Sequence, residues 1–146
     1  MKRPSWKYLA GLIDGEGCID VQVGNGYYVR PRLRVALTHT SLFLLEACRL
    51  NFGGFLSKRK GSGTHQDSVC WELAGYGVSC KVLRNIVNHL VLKREQARLA
   101  LWMEQHVKGK HVSAEARDAI REELKLMKSD PHRLSEKAQE RIIALL

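Results

Sequence analysis

Leu9-Ala10-Gly11-Leu12-Ile13-Asp14-Gly15-Glu16-Gly17 is the stretch from which the fold of this chain is read. Trp6, Leu9, Ala10 and Ile13 recur at i, i+3, i+4 and i+7, the apolar stripe of a helix over about Pro4 to Ile13. Pro4 suits a first helical turn, and Gly15 and Gly17 suit its end. From Gly17 to Val23 the pattern switches to alternation. Ile19, Val21 and Val23 share one face, and Cys18, Asp20 and Gln22 share the other, in phase with Glu16. The helix therefore delivers a carboxylate to the start of a strand. Ala10, Gly11 and Gly15 are small, a surface that lets a second helix backbone approach closely.

Outward from this stretch, Gly24-Asn25-Gly26 is a hairpin turn, and Tyr27 to Thr38 is the returning strand. Arg30, Arg32 and Arg34 alternate there with Val29, Pro31, Leu33, Val35 and Leu37. Three guanidinium groups side by side on one face repel one another unless an anion neutralises them. Opposite charges for local pairing look scarce, since Glu46 is the one acid from Tyr28 to Lys60. A solvated edge strand, which Pro31 permits, is the alternative.

Thr40 or Ser41 caps a helix to Phe52, stopped by Gly53-Gly54. Phe55 to Arg59 and Ser68 to Leu73 read as strands around the basic turn Lys60 to His65. Val69, Trp71 and Leu73 face the core there. Helices follow over about Val78 to Leu90, Arg94 to Val107 and Ala114 to Lys128, the last capped by Ser113, and then from Ser135 to Leu146. The expected fold class is α+β: αββαββα with an antiparallel sheet and extra C-terminal helices. A single domain over 1–146 is expected, with its core at about 4–107 and a helical extension at about 113–146.

The 146 residues carry a formal charge of +9, with 24 Lys and Arg against 15 Asp and Glu. That balance favours a polyanionic partner, nucleic acid before membrane. No apolar run reaches the roughly 18 residues of a membrane span. Cys18, Cys48, Cys70 and Cys80 have no metal-binding spacing and read as buried thiols in a reducing compartment. The basic start lacks a signal-peptide core with a small-residue cleavage site, so secretion is not expected.

The opening stretch resembles the signature of the LAGLIDADG homing endonucleases, with Gly15 and Glu16 standing where the name has Ala and Asp. The element order over about Tyr8 to Gln105 is similar to the family's repeat unit. Leu90-Val91-Leu92-Lys93, followed by Glu95-Gln96-Ala97, is similar to its lysine-bearing segment. The signature occurs once, which in this family implies a homodimer. The resemblance implies an interface at Ala10, Gly11 and Gly15, and staggered metal-dependent cleavage of near-palindromic DNA. It implies Glu16 and the Gly15 carbonyl as ligands of Mg2+ or another divalent cation, with Lys93 and His39 as further catalytic residues. Asp14 is expected to be a structural hydrogen-bonding group.

The expected DNA contacts are Asp20, Gln22, Arg30, Arg32 and Arg34, joined from the second hairpin by Ser57, Lys58, Arg59, Lys60, Ser68 and Glu72. Arg pairs bidentately with guanine and Gln with adenine. Two other readings stay open: an intron RNA maturase and a non-catalytic DNA-binding regulator.

Overall fold

A computed structural model describes residues 2–146. Its elements run α1 (Trp6–Glu16), β1 (Gly17–Gly24), β2 (Tyr28–Thr38), a 3-10 turn (His39–Ser41), α2 (Leu42–Phe52), β3 (Phe55–Arg59), β4 (Ser68–Ala74), α3 (Tyr76–Ile86), α4 (Arg94–His106), α5 (Ala114–Ser129) and α6 (Ser135–Ile143). This is the expected αββαββα order with further C-terminal helices.

The signature helix is longer than its glycines suggested. Ser5, not Pro4, starts it: the Ser5 hydroxyl accepts the Tyr8 N–H at 3.1 Å. Gly15 lies inside the helix, which runs through Glu16 and turns directly into β1. The Gly17 N–H closes the helix on the Ile13 carbonyl. A side chain at Gly17 would collide with the Ile13 backbone at 2.8 Å, so this helix-to-strand junction requires glycine. In the same way α3 begins at Tyr76, leaving Gly77 inside it, and ends at Ile86. The last helix stops at Ile143, and Leu145 and Leu146 are exposed.

The four strands form one antiparallel sheet in the order β1-β2-β4-β3. Asn25 and Gly26 both adopt positive φ, 53° and 80°, at the first turn. Those angles match a primed turn, whose twist suits a hairpin. β2 is an interior strand, so the solvated-edge reading of the arginine strand falls. Pro31 is accommodated because β4 pairs with β2 only from Arg32 onward, while the Pro31 carbonyl accepts the Gly75 N–H.

The helices cover one face of the sheet. Leu9, Ile13, Leu33, Val35, Leu45, Trp71 and Leu83 are buried in the main cluster between α1, α2, α3 and the strands. A second cluster joins Val29 and Tyr76 to Leu99, Met103, Ile120, Met127 and Ile142. The C-terminal helices are thus fastened beneath the first hairpin through α4. Ala10 faces inward and is 0% exposed. It belongs to the core of its own protomer, which corrects its assignment to an intersubunit surface. The inward stripe of the helix passes through Ala10, and the outward one through Tyr8, Gly11 and Gly15.

Candidate functional site

The end of α1 is held by Asp14. Its carboxylate accepts the backbone N–H groups of Val91 at 2.7 Å, Leu92 at 3.1 Å and Lys93 at 3.0 Å. Lys93 returns a bond, its Nζ donating to the Asp14 carbonyl at 2.6 Å. A cation there also suits the negative end of the helix dipole. Asp14 is therefore a structural clasp, as the sequence suggested. It ties the segment bearing Lys93 to the turn of α1 that carries Glu16.

Glu16 is exposed and opens onto a shallow cleft lined by Cys18, Arg34, Ala36, Arg59 and Cys70. Two strands of the first hairpin and both strands of the second meet there. The carboxylate thus sits beside two arginines on the polar side of the sheet. His39 lies in the adjacent groove with Leu42, Lys58, Lys60 and Asp67, and Arg59 lines both. Its Nδ1 is 3.3 Å from the Asp67 carbonyl. The structure thus keeps His39 next to the Glu16 cleft rather than in its wall.

The polar face follows from register. Gln22 pairs with Arg30, Asp20 with Arg32, and Cys18 with Arg34; Arg34 pairs with Glu72, and Arg59 with Ser68. Directly opposed residues in an antiparallel sheet share a face. Ser57 opposes Cys70 and joins that face. Lys58 opposes the core residue Val69, and strand alternation sends it to the helix side. It is thereby corrected out of the arginine face. Lys60 lies beyond the strand end, in the groove with His39.

The arginine row is not bare. Asp20 accepts Arg32 through two bonds, Nε at 2.9 Å and Nη2 at 2.8 Å, and accepts Arg34 Nη2 at 2.8 Å. Glu72 lies 3.7 Å from Arg32. The expectation of missing counter-charges fails because both acids come from neighbouring strands, Asp20 from β1 and Glu72 from β4, outside residues 28–60. Donation of these hydrogen bonds to Asp20 raises the Arg32 pKa further and holds its guanidinium charged and oriented. Arg30 is exposed and makes no ion pair among the described residues. Gln22 Oε1 and Arg34 Nε are buried with no partner, one acceptor and one donor on the reading face.

The cysteines behave as buried thiols. Cys48, Cys70 and Cys80 are buried, and Cys18 is half-buried. Burial pushes Cys48 up to about 11 and Cys80 up to about 12, so these thiols remain protonated and inert at neutral pH.

A divalent cation fits this donor set only in part from one protomer. Among the described residues there is no group of three or more His, Cys, Asp or Glu that could hold a metal. Asp14 is spent on backbone donors, leaving the Glu16 carboxylate and nearby backbone oxygen. Magnesium is commonly held by one or two carboxylates together with substrate phosphates, so the set fits a cation completed by phosphate. Sequence reasoning missed Gln96, which is 3% exposed beside Lys93 with its Oε1 unpartnered. Its position after the lysine was visible, but its burial was not.

The family model for LAGLIDADG endonuclease matches residues 9–106, and the chain belongs to that family. Its fold is similar to the homing endonuclease I-CvuI in complex with its target in the presence of Ca, at 23% identity and TM-score 0.69, covering 96% of this chain and 93% of that one. I-CvuI with uncleaved I-CreI target in the presence of Mg gives 24% identity and TM-score 0.67 over the same shares, 96% and 93%. The archaeal intron-encoded homing endonuclease I-Vdi141I complexed with DNA gives 16% and 0.65, covering 96% and 95%. No curated protein matches the chain significantly. Among the described residues no helix is long and apolar enough to cross a membrane.

Proposed function

We propose that this chain is a homodimeric, site-specific DNA endonuclease that cuts both strands of a near-palindromic duplex with a divalent cation, magnesium by preference. The observation that carries this reading is the Asp14 clasp, which fastens Lys93 to the helix turn bearing Glu16 at the edge of an arginine-lined cleft. A free carboxylate and two arginines around one cleft, with a lysine anchored to the same helix end, suit a phosphodiester better than an RNA-splicing surface or a purely regulatory one.

Glycine supports the dimer. Gly11 and Gly15 stand one turn apart on the outer face of α1, with nothing of their own protomer within 4 Å of an added side-chain carbon. Each costs about 1 kcal/mol relative to alanine inside a helix, and nothing in the protomer compensates. Close packing against a second α1 does. Tyr8, Val91 and Leu92, all exposed, frame that contact. The two-fold arrangement brings two Glu16 carboxylates together, where their repulsion calls for cations between them.

In this reading Glu16 and the Gly15 carbonyl hold the cation, which when bound supplies an activated water and stabilises the leaving oxygen. Lys93 is anchored to stabilise phosphate charge, and Arg34 and Arg59 neutralise the backbone entering the cleft. His39 orders solvent from the neighbouring groove. Arg30 and Gln22 read bases, while Arg32 is held by Asp20 as a positioned part of that surface.

The test is Glu16→Gln beside the parent, with a pool of near-palindromic duplexes. Magnesium-dependent double-strand cuts at a defined site should vanish in the variant. Calcium should tighten duplex binding by the parent and not by the variant. Equal cutting, or equal calcium response, removes the proposed metal site. Binding to folded intron RNA in preference to duplex DNA would support the maturase instead.

A further inference from the structure

The C-terminal helices carry charges that the cleavage chemistry above does not use, and α5 sorts them by face. Glu123 is fully buried and takes Arg133 at 2.7 Å and Arg141 at 3.2 Å, and Glu122 takes Arg141 at 3.0 Å. These acids are turned toward α6. Arg121, Lys125 and Lys128 recur at i, i+4 and i+7, are exposed, and line a groove between α5 and the edge strand β1. Asp20 is the one carboxylate lining that groove, and Arg32 and Arg34 already engage it. Among the described residues none of the three cations makes an ion pair.

Geometry joins this cationic face to the reading surface. β1 is the outer strand of the sheet, so the groove begins where the arginine face ends. Its other end reaches the segment that carries Lys93: Lys128 and Lys93 line one further cleft with Gln96. Gln96 lines both spaces, and its Oε1 is buried without a partner. An orphan acceptor at the floor of a cationic groove suits the ordered water that accompanies a solvated phosphate chain. From Arg121 to Lys128 the helix axis advances about 10 Å, the rise of about three nucleotides of one DNA strand.

We propose that Arg121, Lys125 and Lys128 form a phosphate rail on α5 that holds the backbone of duplex DNA beyond the sheet edge and leads it past Lys93. The inference rests on the nuclease reading above, and it gives the C-terminal helices a direct part in binding. The rail contacts no bases. It therefore adds affinity equally on all sequences, in contrast to Arg30 on the sheet.

The test uses the full chain and a mixed-sequence duplex, with binding measured across salt concentrations. The triple variant Arg121→Ala, Lys125→Ala, Lys128→Ala should flatten the slope of log affinity against log salt by about 0.9 per lost phosphate, or about 2 to 3 per protomer. Lys137→Ala on α6 should leave the slope unchanged. The three single variants, each expected to remove about 0.9, keep the test open if the triple variant misfolds. A parental slope in the triple variant overturns the rail and leaves the nuclease reading standing. Failure of the parent to bind any duplex removes both. A loss confined to folded RNA, with duplex binding intact, reassigns the rail to RNA and also overturns the proposal.

Discussion

The two hairpins of the sheet present similar polar faces on very different supports. The first, β1–β2, turns in three residues, 25–27, and is backed along its inner side. Val29 is buried, and the Tyr76 hydroxyl donates to its carbonyl at 2.6 Å. Val21 and Val23 pack on the second cluster, the Val112 N–H bonds the Tyr27 carbonyl at 2.9 Å, and His111 stacks on Tyr27 at 3.9 Å. The second, β3–β4, ends in a long exposed turn. Its internal ties are few: the Asp67 carboxylate accepts the Gly61 N–H at 2.8 Å, and the His65 N–H bonds the Ser62 carbonyl at 3.0 Å. Same-face alternation thus decides what a hairpin can read, while the helices behind it decide how firmly it is held.

The largest test of that contrast is Glu123→Ala. The buried carboxylate organises Arg133 and Arg141, and removing it should cost about 3 kcal/mol in urea unfolding. Amide exchange should accelerate in β1–β2 far more than in β3–β4; equal acceleration in both would break the comparison. The same group gives a pH signature. The hydrogen bond from Arg133, then that from Arg141, holds the Glu123 pKa below the ordinary glutamate value. Its contribution is therefore fully present above about pH 4.3 and is lost as pH falls through the lowered value. Urea midpoints of Glu123→Gln should consequently fall less steeply on acidification than those of the parent.

Tyr76→Phe is the next effect in size. It leaves the Val29 carbonyl buried without its donor and should cost about 1 to 2 kcal/mol, again with faster exchange in the first hairpin. An unchanged unfolding midpoint would show that the hydroxyl does not fasten β2 to the helices. Asp67→Ala should be the smallest. Global stability should stay within about 0.5 kcal/mol, while proteolysis within residues 60–67 quickens. A global loss as large as that of Tyr76→Phe would mean the second hairpin is as tightly coupled as the first.

Much of this could be read from residues in sequence. The order of elements, the turn at Asn25-Gly26 and the core positions Leu33, Val35, Val69, Trp71 and Leu73 all follow from periodicity, because burial on one face writes itself into alternation. Helix ends were harder. Gly15 reads as a helix stop and Gly77 as lying ahead of a helix that starts at Val78, yet both lie within helices, since tertiary packing outweighs a propensity cost of about 1 kcal/mol. The expected single domain is not decided by the element order; the two buried clusters meet along α4, where Ala97 and Ala100 join one and Leu99 and Met103 the other.

The site divides along the same line. Sequence by itself determined that a helix ends in Asp14 and Glu16, that a strand follows with arginines on one face, and that the chain carries excess positive charge. These are local properties, set by spacing and composition. Only the tertiary structure decided that Asp14 clasps residues 91–93, that Asp20 and Glu72 neutralise part of the arginine row, that Ala10 and Lys58 face away from their expected surfaces, and that α5 lies along β1. Each of those joins residues distant in the chain, and a hydrogen bond or ion pair between distant residues leaves no periodic trace.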